Sequence, residues 1–68
     1  MILGKLRFNW LQDNPRRWAG KKVQCKKTDV IYTIHQVLGS GRVILEKRWM
    51  LYTSTVQVIR RDYEPASP

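Results

Sequence analysis

Val30-Ile31-Tyr32-Thr33-Ile34-His35-Gln36-Val37-Leu38, then Gly39-Ser40-Gly41, then Arg42-Val43-Ile44-Leu45-Glu46-Lys47: the reading of this stretch decides the fold. Both arms are rich in β-branched and aromatic residues, which suit a pleated, half-buried surface. Gly-Ser-Gly supplies the positive φ of a tight hairpin. In the first arm Val30, Tyr32, Ile34 and Leu38 are apolar and even, against polar Thr33 and His35. In the second, Val43 and Leu45 are apolar and odd, against Arg42 and Glu46. Even residues meet odd ones across a hairpin only when the loop has an even number of residues. The expectation is therefore a type II′ turn at Gly39-Ser40, with Ile31, Val37 and Ile44 on the other face. A hairpin apolar on both faces must be covered on both, or curl into a barrel.

Working outward, the chain is short: 68 residues make one domain with a thin core. We place that domain at residues 1–63, an N-terminal arm included, with 64–68 as a disordered tail lacking any large apolar anchor. The single Cys25 rules out an internal disulfide, and Cys25 with His35 are too few soft ligands for structural zinc. Thirteen Lys and Arg against five Asp and Glu give a net charge of +8. That balance favours a polyanionic partner, DNA or RNA, although charge also keeps a small β-protein soluble. Met1-Ile2-Leu3 is too short for a signal-peptide core, and no stretch approaches a membrane span. With an unpaired cysteine, the expectation is a cytoplasmic protein that does not engage a membrane.

Along the chain, Leu6-Arg7-Phe8-Asn9-Trp10 reads equally as a short strand or as an arm laid over the barrel. Asn14-Pro15-Arg16-Arg17-Trp18-Ala19-Gly20 reads as one helical turn, capped by Asn14, opened by Pro15 and stopped by Gly20. Lys21–Lys27 reads as a strand with Val23 and Cys25 inward, followed by a turn at Thr28-Asp29. Arg48-Trp49-Met50-Leu51-Tyr52 is the tip of the third strand or an aromatic loop, and Thr53-Ser54-Thr55 a tight connection. Val56, Val58 and Ile59 then form the closing strand. The predicted core is Val23, Cys25, Tyr32, Ile34, Val43, Leu45, Val56 and Val58.

About five strands with one helical turn suggest an all-β, SH3-like small antiparallel barrel over roughly residues 18–63. Val58-Ile59-Arg60-Arg61-Asp62-Tyr63 resembles a closing stretch of retroviral integrase C-terminal domains, whose basic barrels bind DNA. Val56-Gln57-Val58-Ile59 is similar to the Val-Gln-Ile-Tyr run of plasmid-borne trimethoprim-resistant dihydrofolate reductases, with Ile59 at the tyrosine position. Such a reductase builds its pore by symmetry from several copies, so this resemblance implies a homo-oligomer. Small phage and prophage proteins of similar length have the same look, which suggests an accessory role on phage or plasmid DNA.

The residues offer little for catalysis. His35 stands alone in mid-strand, and Cys25 reads as a small hydrophobe. The few carboxylates look like charge balance, and Gly39-Ser40-Gly41 has no following helix with which to cradle a phosphate. We expect a non-enzymatic, cofactor-free domain. Its basic residues are better placed for binding: Arg16, Arg17, Lys21, Lys22, Lys26, Lys27, Arg42, Lys47 and Arg48 for phosphates, with Trp49 and Tyr52 as stacking platforms. The competing role for Trp18 and Trp49 is to plug the ends of the barrel. A protein-interaction module, with Tyr32, Trp49 and Tyr52 lining a peptide groove, is the alternative function.

Overall fold

The structure, a computed structural model, describes residues 10–66. The segment read as a strand or arm therefore lies outside the described residues, except for Trp10. Two 3-10 turns, Trp10–Gln12 and Pro15–Arg17, lead into β1 (Lys22–Cys25), β2 (Ile31–Val37), β3 (Arg42–Lys47) and β4 (Met50–Thr55). A two-turn helix, α1 (Val56–Asp62), and a short β5 (Tyr63–Pro65) complete the described chain. The strands form one antiparallel sheet in the order β4-β3-β2-β1-β5. Among the described residues β4 and β5 are its two edges, and no ladder joins them, so the sheet is open.

The central hairpin reaches the expected core by a different route. Ile34 does lie opposite Leu45, and Ile34, Val43 and Leu45 are all buried. Near the turn, however, Val37 pairs with Val43, and Leu38 N–H donates to Arg42 C=O across a three-residue loop. Gly41, at φ 93°, takes the left-handed position that closes such a loop, which is not the type II′ turn expected at Gly39-Ser40. The odd loop is offset by a β-bulge at His35, between Ile34 and Gln36. Consequently Val37 packs against the core and Leu38 is exposed, the reverse of the parity expectation.

After β3 the chain departs further from expectation. Arg48 and Trp49 are a two-residue turn with φ of 51° and 72°, and Lys47 pairs with Met50 across it. Thr53-Ser54-Thr55 is the second half of β4, not a connection. Val56, Val58 and Ile59 belong to α1, not to a closing strand. The Thr55 hydroxyl accepts from Val58 N–H and so caps the helix; Val56 and Ile59, three residues apart, turn one helical face inward. The closing strand comes later, with Tyr63 opposite Cys25 and Pro65 opposite Val23, so part of the expected tail is sheet.

Leu11, Trp18, Val23, Ile34, Val43, Leu45 and Ile59 make the core. Cys25, Tyr32, Val56 and Val58 are only half-buried: Cys25 ends β1, Tyr32 packs on the rim of the core, and Val56 and Val58 lie in the first turn of α1. Trp18 is the plug, fully buried beside Trp10 at 6.3 Å. The turn that delivers it forms as read, with Asn14 Oδ1 accepting from Arg16 N–H and Gly20 at φ 87°. Arg60 ties the two ends of the chain together. Its Nε donates to Leu11 C=O at 2.8 Å, its Nη2 to Asp13 C=O, and its guanidinium lies 5.6 Å from the Trp18 ring.

Candidate functional site

The β3–β4 hairpin carries four of the six exposed large hydrophobic side chains among the described residues. Two residues with positive φ define a type I′ turn, a place that favours Asn-Gly. Filling it with Arg48 and Trp49 costs on the order of 1–2 kcal/mol per residue, since a left-handed conformation crowds Cβ. The strain displays an indole: Trp49 is 94% exposed, flanked by Lys47 and Arg48. Met50 and Leu51 follow it at about 60% exposure, and Tyr52 at 41%.

Tyr52 begins an aromatic row on the inner face of the sheet. Its ring stands edge-to-face with Tyr32 at 5.6 Å, and Tyr32 does the same with Tyr63 at 6.0 Å. The Tyr52 hydroxyl reaches the Met50 sulfur at 3.9 Å. Burial pushes the Tyr63 phenol above its ordinary range, with Cys25, Tyr32 and Asp62 adding to the effect.

The structure brings Lys47, Arg48, Trp49 and Tyr52 together on this hairpin and scatters the other predicted contacts. Arg16 and Arg17 are exposed on the second 3-10 turn. Lys22 is exposed at the start of β1, while the Lys21 ammonium sits 5.4 Å over the Trp10 ring. Lys26 is given to α1: its N–H donates to Asp62 C=O and its Nζ to Arg61 C=O, satisfying carbonyls at the helix end. Lys27 lies in the same turn. Together with a fork of hydrogen bonds from Arg61, Lys27 and Lys26 hold the Asp62 carboxyl below the usual range.

Arg42 stands at the other end of the hairpin, opposite Thr55. There two clefts flank the Gly39–Gly41 loop. The smaller, about 250 Å³, runs between Pro15, Arg16, Leu38 and Val56. The larger, about 590 Å³, is lined by Ser40, Arg42, Thr55, Gln57 and Arg60 among others. The part that Arg60 and Gln57 take in this cleft was hidden by reading Val56–Ile59 as strand. Thr55, a capping residue directly before Val56, was the signal that could have revealed it.

The remaining reactive groups are dispersed. His35 Nδ1 lies 3.9 Å from Glu46 Oε1 at the bulge. The Cys25 thiol is half-buried, and hydrogen bonds from the Thr28 hydroxyl and the Thr28 and Lys27 amides lower its pKa. Among the described residues no three His, Cys, Asp or Glu side chains gather as a metal site, and no helix is long and apolar enough to cross a membrane. The run shared with the reductases lies in α1, where Ile59 is fully buried and Gln57 faces solvent. No protein-family model, curated protein or solved structure matches the chain.

Proposed function

We propose that the chain is a small SH3-like, barrel-type module that binds nucleic acid without catalysing a reaction, and that the β3–β4 hairpin is its reading head. The strand order β4-β3-β2-β1-β5, with a helical piece before the last strand, supports the architecture. One observation carries the function: an indole held 94% exposed on a strained turn between Lys47-Arg48 and Met50-Leu51. A tryptophan with no packing role, presented beside two cations in a chain of net charge +8, is what base stacking and phosphate contact require.

Fluorescence anisotropy with labelled DNA and RNA over a salt series tests the proposal. Engagement of about four phosphates gives a slope of log K against log salt between roughly −3 and −4. Arg48→Ala flattens that slope by a little under one unit. Trp49→Ala costs about 1–3 kcal/mol of binding with the slope unchanged. No binding to any nucleic acid at about 50 mM salt and micromolar protein overturns the proposal. The protein-interaction reading would then stand on the exposed Met50, Leu51 and Tyr52.

A further inference from the structure

We propose that the ligand is a single strand with unpaired bases, laid along the free edge of β4 from Trp49 to the cleft between Arg42 and Arg60. This inference rests on the nucleic-acid reading and narrows it to a substrate class and a path.

Four observations converge on it. First, β4 is a terminal strand of the sheet, and alternate residues along such an edge turn N–H and C=O away from their neighbour. Met50–Thr55 contains no proline, no charged side chain and no bulge that would discourage pairing, whereas the other edge, β5, is three residues long and includes Pro65. Second, the two ends of β4 differ in chemistry. At one end Trp49 offers both faces of its ring, and Tyr52 lies just beyond on the inner face. At the other end the 590 Å³ cleft presents Arg42, Arg60, Gln57 and Ser40. Arg60 lines this cleft with its Nε and Nη2 bonded to the Leu11 and Asp13 carbonyls, so Arg42 is the cation there without such a partner.

Third, the spacing fits a short oligonucleotide. Six residues of strand span about 20 Å, which is about six nucleotides at the stacked spacing of about 3.4 Å, and fewer when the strand is extended. Fourth, part of the cationic surface is already engaged within the fold. Lys21 lies over Trp10, Lys26 is bonded to the end of α1, and Arg61 is paired with Asp62. Glu46, opposite Thr33, and Glu64, opposite Gln24, place carboxylates on the face of the sheet turned away from the core. Along β4 itself the exposed groups are Trp49, Met50, Leu51 and Tyr52, with cations only at its two ends, so stacking is the contact this edge adds to phosphate neutralisation. Stacking is open only to bases that are not already paired.

The test titrates the full chain with fluorescein-labelled oligothymidylates of about two to twelve nucleotides and with a blunt duplex of about twelve base pairs, at two salt concentrations. Affinity rises with length to about four to six nucleotides and then levels, and the single strand binds at least tenfold tighter than the duplex. Trp49→Ala lowers single-strand affinity by roughly 5- to 150-fold, which is about 1–3 kcal/mol at 1.4 kcal/mol per decade, and leaves the melting temperature unchanged. Arg42→Ala flattens the salt slope by about 0.7 unit. Equal or tighter binding to the duplex overturns this inference and leaves the nucleic-acid reading intact. Absence of binding to both overturns both. A dimer in sedimentation equilibrium that Thr53→Lys dissociates overturns this inference too, because the β4 edge would then belong to a second copy of the chain.

Discussion

Trp18 and Trp49 show how much one residue type leaves open until its neighbours are placed. Both follow a pair of cationic residues in the sequence, Arg16-Arg17 and Lys47-Arg48, and either reads as a plug or as a platform. Asn14, Pro15 and Gly20 shape a turn that drives Trp18 inward, to 0% exposure. Trp49 has no such turn behind it. It sits at the far end of a ladder whose inner face is already filled by Tyr32 and Tyr52. Its left-handed backbone makes a separable prediction. Arg48→Asn combined with Trp49→Gly installs the pair that a type I′ turn favours and relieves about 1–2 kcal/mol per residue. For a domain of this size the melting temperature should rise by roughly 10 °C or more, read by circular dichroism, while nucleic-acid binding falls. A lower melting temperature would mean that the Trp49 ring packs usefully where it is.

At the level of elements, the hairpin between β2 and β3 was legible in composition and glycine placement, and its register was not. Alternation identifies Ile34, Val43 and Leu45 as one set whichever way the odd residue is absorbed. A single bulge at His35 does the same arithmetic as an even loop. Bulges leave no residue signature of their own, since His35 is neither a glycine nor a proline. The bulge yields a test: deletion of His35 joins Ile34 directly to Gln36 and leaves their partners Leu45 and Ile44 in unbroken alternation. That variant should fold with a near-native circular dichroism spectrum, whereas a deletion within β3 should not. α1 was misread for a related reason. Val56 and Val58 satisfy a period of two as well as Val56 and Ile59 satisfy a helical one, and only Thr55, a capping residue, argues for helix. The Arg42–Arg60 cleft was lost with it.

For the whole molecule, the small core makes stability sensitive to single atoms. Leu45→Ala should cost about 2–5 kcal/mol, against a total of about 3–5 kcal/mol for a domain of this length, and leave the chain largely unfolded at 25 °C. Urea denaturation measures this directly, and a midpoint within error of wild type would show that the core lies elsewhere. Tyr63 sets an alkaline limit. Its native pKa is raised, so its contribution is full below the unfolded value near 10 and is lost as pH rises through the native one. Tyr63→Phe should therefore lose less stability than wild type between about pH 9 and 12 in the same urea assay; equal losses would free Tyr63 of that role. The net charge was plain from composition, but its disposition was not. Which lysines cap a helix and which remain available depends on Lys26 meeting Asp62 across the fold, a pairing no local pattern encodes.

The pairing of β1 with β5, and the clasp of Arg60 on Leu11 and Asp13, also bear on how the chain is made. Synthesis proceeds from the N-terminus, at roughly 5–20 residues per second. Trp18 and Leu11 are therefore made before β1, yet the helix that covers them, with Ile59 and Arg60, follows only after β4. For the seconds between the synthesis of Trp18 and that of Ile59, the largest apolar side chains of the core have no finished cavity to enter. The core is thus completed only once α1 has followed the four strands before it, and a ribosome stalled anywhere between Trp18 and α1 holds those side chains uncovered.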